Sequence, residues 1–241
     1  MTLFSLLPLL VACGGGTWTV NTWGEEYIED TMPAEIFEDG CSVTYDSFEI
    51  AMSGVALLDG DGTEVGVVDG EQVFDLTAAG PHDVGSAEVS ATHYANARYV
   101  IAPSEELGGS SVVAAGTLTC GAESVTFDWA FDTDTTYECE PADLTIPAGG
   151  EDSTEYTIHG DHLFYDGLEN EDAVVRGQAI ADADGDADGV VTLAELEAVS
   201  VATLGYEVGQ YSEVTNLAQF VRFLTQTLGH VDGEGHCQVD L

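Results

Sequence analysis

The residues best suited to chemistry in this sequence are acidic side chains spaced two positions apart. The run Asp184-Gly-Asp-Ala-Asp-Gly-Val-Val-Thr-Leu-Ala-Glu195 places carboxylates at Asp184, Asp186 and Asp188. If the chain curls around a cation, these three side chains can aim hard oxygen atoms at one point. Gly189 permits the sharp turn, because glycine adopts backbone conformations that a side chain hinders. An all-oxygen set of about seven donors suits Ca²⁺ better than Zn²⁺ or copper.

Three further donors follow in the same frame. Val190 supplies a backbone carbonyl, Thr192 a hydroxyl or a bridging water, and Glu195 a bidentate carboxylate. A frame that begins at Asp182 fails, because its glycine and glutamate positions are an alanine and a leucine. Residues 184–195 resemble the calcium-binding loop of the EF-hand family, and the resemblance implies one Ca²⁺ site. The alternative is an acidic, glycine-rich surface turn.

Apolar stripes on both sides of the loop predict the helices that would position it. We expect one helix over residues 170–181 and another over residues 193–200. The stripes consist of Val175, Ala179 and Ile180 before the loop and of Val191, Leu196 and Val199 after it. A third helix is predicted further on, because five apolar residues fall on one face: Leu217, Phe220, Val221, Leu224 and Leu228.

Histidines form a second group of candidate ligands. His159 and His162 follow the last predicted strand, and His230 and His236 follow the last predicted helix. If the C-terminal tail is pinned near that junction, the two groups meet and offer up to four imidazoles. The accompanying carboxylates are Asp161, Asp232 and Glu234. Imidazole with carboxylate suits Zn²⁺, Cu²⁺ or Fe²⁺, whereas the alternative is that these histidines cap helix ends or bind carboxylates.

Residues 41–158 predict a β domain. Seven or eight strand-sized runs alternate with Gly, Pro or Asp, which is typical of an antiparallel sandwich. The turn Asp59-Gly-Asp-Gly62 is expected to join residues 55–58 to residues 65–68. The stretches GVALLDGDGTEV and VFDLTAAGPHDVGSAEVSATHYANARYVI resemble the prealbumin-type domains of uncharacterised bacterial lipoproteins. Some relatives of that architecture handle periplasmic copper, so the resemblance implies a role in copper handling.

The predicted fold class is therefore α+β. An antiparallel β-sandwich, prealbumin-like or immunoglobulin-like, occupies residues 41–158. A three-helix C-terminal region that contains one EF-hand and ends in a His-rich tail occupies residues 159–241. Residues 13–40 are predicted to be a tether and a collar that precede the sandwich.

The N-terminus predicts export. A short apolar run ends in Leu10-Val11-Ala12-Cys13, which resembles the lipobox of bacterial lipoproteins. The resemblance implies a signal peptide over residues 1–12 and a lipid on the Cys13 sulfur that attaches the protein to the cell envelope. Gly14 differs from the Asp-type retention signal of some inner-membrane lipoproteins, which favours the outer membrane, on its periplasmic or surface side. The alternative is a buried N-terminal segment.

The four remaining cysteines predict two disulfides in an exported chain, with three possible pairings. We expect Cys120–Cys139, because these residues bracket two strand-like runs, and then Cys41–Cys237. The charge is extreme, with 3 Lys plus Arg against 45 Asp plus Glu and a formal balance of −42. Such a chain repels phosphate backbones, which argues against nucleic-acid binding.

These patterns support three hypotheses about function. The first is a lipid-anchored, exported, non-catalytic protein with a structural Ca²⁺ site. The second is a lipoprotein that binds or delivers copper or zinc through its histidines, and the third is a metallohydrolase that uses the same ligands. The sequence lacks a nucleophile elbow, a phosphate loop, an HExxH motif and a dinucleotide fingerprint. It identifies no protein partner.

Overall fold

The computed structural model describes residues 14–141, 144–168, 172–233 and 235–239. The predicted signal peptide, Cys13 and Glu234 lie outside these residues, so lipidation at Cys13 stays a prediction. Residues 15–23, which were assigned to the predicted tether, form the first strand.

Strands make up most of the regular structure. Their bounds are β1 Gly15–Trp23, β2 Thr31–Met32, β3 Cys41–Leu58, β4 Glu64–Val68, β5 Gln72–Asp75, β6 His82–Ser90, β7 Asn96–Ile101, β8 Val112–Cys120, β9 Glu123–Phe131, β10 Thr135–Cys139, β11 Glu151–Ile158, β12 Val190–Val191, β13 Gly229–Val231 and β14 Gly235–Val239. The α-helices are short: α1 Glu25–Glu29, α2 Gln178–Ala181, α3 Leu193–Glu197 and α4 Leu217–Leu224. Two 3₁₀ turns span Gly160–Phe164 and Val201–Thr203.

One curled, hydrogen-bonded path connects the strands in the order β12-β9-β8-β3-β7-β10-β14-β13-β11-β1-β6, and β2, β4 and β5 pair with β3 beside it. The long strand β3 pairs with β8 over residues 41–50 and with β7 over residues 52–58. The pairing with β7 contains a register shift between Ser53 and Ala56. Gly54 lies in that shift with a φ of 60°, a conformation that glycine adopts without strain.

The C-terminal hairpin joins the two halves of this path. Strand β14 pairs with β10, and strand β13 pairs with β11. The hairpin β13–β14 therefore links the strands around β3 to the group formed by β11, β1 and β6. Removing the hairpin would leave the facing edges of β10 and β11 without backbone partners.

The core lies on the inner side of the curled sheet, because strands such as β8 and β9 alternate buried and more exposed residues. Among its largest fully buried side chains are Trp18, Trp129, Tyr99 and Tyr137. Two indole N–H groups find partners inside this core. Trp18 Nε1 donates to the Thr154 hydroxyl at 3.0 Å, and Trp129 Nε1 donates to the Val191 carbonyl at 2.9 Å.

The predicted α+β class is wrong. The structure is mostly β, with 48% strand and 14% helix, so no separate three-helix region with an EF-hand follows a sandwich in the described chain. Residues 229–231 and 235–239, expected to be an irregular tail, instead complete backbone hydrogen bonding in the middle of the sheet. The pairing of β1 with β11 and of β12 with β9 is parallel, which departs from the predicted antiparallel sandwich.

The predicted helices shorten for local reasons. The helix expected over residues 170–181 begins only at Gln178, where Asp39 Oδ2 accepts backbone N–H bonds from Gly177 and Gln178 at 2.9 and 2.8 Å. Ahead of it, Val175 forms bridges to Phe37 and Tyr165, which hold that segment extended. The third helix, α4, buries its predicted stripe but ends at Leu224. Helices as short as α2 and α4 are unstable alone, so they depend on packing against the sheet.

Both predicted disulfide pairings are wrong. The structure pairs Cys41 with Cys120 and Cys139 with Cys237. Each pair occupies directly facing positions on neighbouring strands, with Cα atoms 4.2 and 4.0 Å apart. Cys120 and Cys139 end strands β8 and β10, which are not neighbours in the sheet, so they cannot be bridged as expected. The two disulfides indicate an oxidising, extracytoplasmic environment.

Candidate metal centres

Three of the four predicted histidines converge. His159, His162 and His230 each offer a ligand nitrogen, and these three nitrogens all lie within 4.8 Å of one another. The ring centroids are 4.2 Å apart for His159 and His230, 5.4 Å for His159 and His162, and 5.1 Å for His162 and His230. We call these three residues the His triad.

The pairing of two strands distant in sequence brings the triad together. His159 follows β11, and its backbone N–H donates to the Leu228 carbonyl at 2.9 Å. His162 lies in the 3₁₀ turn that follows directly, and His230 lies in β13, where it pairs with Thr157. The antiparallel β11–β13 pairing therefore brings together residues about 70 positions apart in sequence. The tail is pinned near this junction as expected, but the disulfide that holds it is Cys139–Cys237.

The tautomer of His162 is fixed by Thr227. The Thr227 hydroxyl donates its only proton to the Leu224 carbonyl at 2.9 Å. It must therefore accept the hydrogen bond that joins it to His162 Nδ1 at 3.1 Å, so we assign the imidazole proton to Nδ1. The lone pair of His162 is then on Nε2. Metal-ligating histidines are usually oriented in this way, through a hydrogen bond from the second ring nitrogen.

Buried polar atoms without partners surround the same point. His159 Nε2, His230 Nδ1 and Asp161 Oδ1 are buried and lack a hydrogen-bond partner. His159 and His162 are only 6% and 8% exposed. Leaving a buried polar atom unpaired costs roughly 1–3 kcal/mol, and most buried polar groups in proteins are paired. Three such atoms around one cluster are the pattern expected of ligands that bind a cation.

The electrostatics favour neutral imidazoles. Burial and then the neighbouring His159 lower the pKa of His162 to about 3. The same two influences, with contributions from His162 and His236, lower the pKa of His230 to about 3. At neutral pH both rings are uncharged, which is the form that binds a metal.

Two carboxylates flank the triad. Asp161 Oδ1 lies 3.9 Å from His159 Nδ1, and Asp161 Oδ2 accepts a hydrogen bond from the Tyr165 hydroxyl at 3.2 Å. Glu25 Oε1 lies 3.7 Å from His159 Nε2, and Glu25 has an unusual positive φ of 54°. Burial raises the pKa of Asp161, and His159 opposes that shift. Neither carboxylate belongs to the group of ligand atoms within 4.8 Å of one another, so a carboxylate would complete a four-ligand set for Zn²⁺ or copper only after its side chain moves.

The sequence did not identify Glu25, Tyr165 or Thr227 as members of this site. Glu25 lies more than a hundred residues before the histidines and belongs to an ordinary acidic stretch. The Tyr165 ring packs against His162 at a tilt of 32°, with ring centroids 4.5 Å apart. Its spacing of three residues after His162 was a local signal, whereas Thr227 and Glu25 depend on tertiary contacts that leave no pattern in the sequence.

His236 lies outside the triad. It pairs directly with His230 across the β13–β14 hairpin, and the ring centroids are 5.9 Å apart. Its side chain is exposed, and it does not belong to the group of nitrogens within 4.8 Å. Asp232 also lies away from the triad, where its carboxylate accepts the backbone N–H of Glu155 at 3.2 Å.

The acidic loop forms a second group. Carboxylate oxygens of Asp184, Asp186 and Asp188 all lie within 4.8 Å of one another. Asp184 Oδ2 accepts the backbone N–H of Gly189 at 2.9 Å, and Gly189 has a φ of 86°, as the predicted turn requires. The chain therefore curls around the three carboxylates in the predicted frame.

The predicted ligands near the end of the loop make other hydrogen bonds. Glu195 lies outside the group of three aspartates, and its Oε2 accepts bonds from the backbone N–H and the hydroxyl of Thr192, both at 2.9 Å. These bonds, with one from the backbone of Gly185 to Oε1 at 3.0 Å, hold the pKa of Glu195 below its usual value. Glu195 and Thr192 thus form a capping box at the start of α3. Val190 begins the parallel pairing with β9, which fixes the loop to the sheet.

None of the helices in the described part of the chain is long and apolar enough to cross a membrane. Comparison of the chain with protein-family models, with curated proteins and with solved structures gives no match. Function therefore has to be inferred from the His triad and the acidic loop themselves.

Proposed function

We propose that this protein binds a transition-metal ion through His159, His162 and His230 in an extracytoplasmic compartment. One observation carries the proposal: three imidazoles from two distant segments converge, and two of them present buried nitrogens without partners. Apolar side chains in the same space would avoid the cost of burying unpaired polar atoms. A bound ion would repay that cost by using the lone pairs as ligands.

The donor set fits Zn²⁺ and Cu²⁺ best. Three imidazoles with one carboxylate make a four-ligand set for Zn²⁺. Asp161, whose Oδ1 lacks a hydrogen-bond partner, would supply the carboxylate after a side-chain movement, because it lies outside the group of ligand atoms within 4.8 Å. Cu²⁺ forms stronger complexes than Zn²⁺ with most nitrogen and oxygen ligands, so the ion carried in the cell depends on metal supply as well as on the site. The chain would hold the ion, orient the imidazoles through Thr227 and Tyr165, and exclude water by burial.

Binding or delivery of the ion is favoured over hydrolysis. A catalytic Zn²⁺ site keeps one coordination position open to substrate. Here His159 and His162 are almost fully buried, which leaves little room for a substrate beside the ion. Lipid attachment at Cys13, with a preference for the outer membrane, is part of the same proposal. It would keep the metal-binding domain at the cell envelope.

Metal titration of the untagged, oxidised chain tests this function. After chelator treatment, we expect one Zn²⁺ or one Cu²⁺ to bind tightly per chain, and His230→Ala or His162→Ala to abolish tight binding. His93→Ala is the matched control, because His93 is exposed and contacts Thr145 away from the triad. Equal binding by all four proteins, or none by the unaltered chain, would refute the function.

We also propose a structural Ca²⁺ site in the acidic loop. The observation that favours it is the convergence of Asp184, Asp186 and Asp188 around a turn at Gly189. Ca²⁺ would neutralise part of the negative charge of the acidic loop. By analogy with the calcium-binding loop that the sequence resembles, Val190, Thr192 and Glu195 would be the remaining ligands. Calorimetric titration with Ca²⁺, beside Asp184→Ala and Glu195→Gln, tests this site. Equal heats of Ca²⁺ binding in the unaltered chain and the two variants would refute a Ca²⁺ site in this loop.

A further inference from the structure

A buried ion needs a route to and from solvent, and His236 is positioned to provide one. His159 and His162 are nearly inaccessible, whereas His230 is half-buried and His236 is exposed. Among the described histidines outside the triad, His236 faces a triad member. His82 instead packs near Phe74, and His93 lies beside Thr145.

The geometry lets His230 share an ion with either neighbour. Directly paired residues on adjacent antiparallel strands project their side chains from the same face, and His230 pairs with His236. Two imidazoles that share one tetrahedral Zn²⁺ have ring centroids roughly 5 Å apart, because each Zn–N bond is about 2.0–2.1 Å long. The His162–His230 separation of 5.1 Å matches this geometry for a tetrahedral ion. From its separation of 5.9 Å, the exposed His236 ring would have to approach His230 by about 1 Å to share an ion with it.

We infer that His236 is a transfer ligand, which receives the ion at the surface and passes it through His230 to the buried triad. This inference rests on the proposed metal-binding function and adds the route by which the ion is exchanged. In the loaded state His236 is not a ligand, which agrees with its position outside the group of nitrogens within 4.8 Å.

The transfer consists of ligand substitutions only. A hydrated Zn²⁺ ion first exchanges one water for a nitrogen of the His236 imidazole, and a nitrogen of His230 then displaces a second water. His159 and His162 displace further waters, and the bond to His236 breaks as the ion becomes buried. No electron is transferred, and the leaving groups are water molecules and, in the last step, the His236 imidazole. Unloading follows the same steps in reverse, with an acceptor ligand replacing water at the surface.

The relation between rates and affinity distinguishes a transfer ligand from a binding ligand. A group that contacts the ion only during exchange changes the loading and release rates by the same factor, so it leaves the equilibrium constant unchanged. A group that contacts the bound ion changes the equilibrium constant. His236→Gln removes the imidazole, keeps a polar side chain and lies at an exposed position of the hairpin.

The test is stopped-flow measurement of Zn²⁺ loading and of Zn²⁺ release to a chromogenic chelator, with the full oxidised chain. Ionic strength is held constant, because the formal charge of −42 attracts cations. The proteins compared are the unaltered chain, His236→Gln, His93→Gln as an exposed-histidine control and His230→Gln as a binding-defective control. We expect His236→Gln to slow both loading and release severalfold by a common factor, with unchanged affinity.

Each other outcome overturns the inference. Unchanged rates in His236→Gln would mean that the ion takes another route. Weakened affinity in His236→Gln would make this residue a ligand of the bound ion. If the unaltered chain bound no Zn²⁺, the proposed metal-binding function would fail and the transfer route with it, a result distinct from normal binding with unaltered exchange.

Discussion

The Thr227 hydroxyl lies 3.1 Å from His162 Nδ1 and donates its own proton to the Leu224 carbonyl. This relationship leaves Nε2 of His162 as the nitrogen with a lone pair. It connects the end of the α4 segment to the His triad, so the position of the lone pair on His162 depends on a residue outside the triad.

Thr227→Val should weaken metal binding without removing a ligand. Loss of such an outer hydrogen bond typically reduces metal affinity about 10- to 100-fold. Thr227→Ser, which keeps the hydroxyl, should retain most of the affinity. Competition with a chelator of known affinity measures the change, and equal affinities for the two variants would show that Thr227 does not orient His162.

The metal-free protein should lose stability as the pH falls below about 6.5. The pKa values of His162 and His230 are near 3 in the folded chain, against 6.5 for an unperturbed histidine. Between these values the unfolded chain binds more protons, so the free energy of unfolding decreases with falling pH. Above pH 6.5 this contribution is fully present.

Urea denaturation between pH 5 and 7 measures this effect in the metal-free chain, in a range where most carboxylates remain ionised. His162→Gln/His230→Gln should show a shallower pH dependence, and His82→Gln/His93→Gln should match the unaltered protein. A steep, identical decline in all three proteins would contradict the assignment to the triad.

Loss of the Cys139–Cys237 disulfide should affect metal binding, because Cys237 holds strand β14, which pairs with the strand that carries His230. Cys139→Ala/Cys237→Ala should destabilise the fold by about 2–4 kcal/mol and also weaken metal binding.

Cys41→Ala/Cys120→Ala provides the matched control, since that disulfide joins β3 to β8 away from the hairpin. It should cost similar stability and leave the affinity for Zn²⁺ unchanged. Denaturant unfolding and metal titration on the same samples separate the two effects. Equal loss of affinity in both variants would indicate general destabilisation.

Ca²⁺ should stabilise the fold through the acidic loop. If the affinity resembles that of extracellular calcium modules, the Kd is on the order of 10⁻⁴–10⁻³ M, and a hundredfold excess of Ca²⁺ over Kd adds about 2.7 kcal/mol. Trp129 donates to the Val191 carbonyl inside the loop, so its fluorescence reports on this region.

Asp186→Asn should reduce the Ca²⁺-dependent rise in Tm, whereas Asp61→Asn should not. Asp61 belongs to the β3–β4 turn, where Asp59 accepts its backbone N–H at 2.9 Å. A Ca²⁺ effect of the same size in Asp186→Asn would assign the stabilisation to the general acidic surface.

Features set by neighbouring residues were predictable from the sequence. The turn Asp59-Gly-Asp-Gly62 does join β3 to β4, with Leu58 paired to Glu64. The apolar stripe of α4 is buried as expected, and the curl of the acidic loop follows from the spacing of its aspartates and Gly189.

Features set by strand order were not predictable. The disulfide partners depend on which strands are neighbours, and nothing near Cys120 indicates that β3 lies beside β8. Strands β13 and β14 contain too few residues to show an alternating pattern, so the sequence predicts an irregular tail in their place. The meeting of the two histidine groups was anticipated, but Glu25 and Thr227 joined them through tertiary contacts.

The most direct test of the His triad is X-ray absorption spectroscopy at the zinc edge, with one equivalent of Zn²⁺ bound to the full oxidised chain. We predict a first shell of nitrogen and oxygen at about 2.0–2.1 Å, with the multiple-scattering signal of three imidazoles. A shell of oxygen atoms alone, without imidazole scattering, would contradict metal binding at His159, His162 and His230.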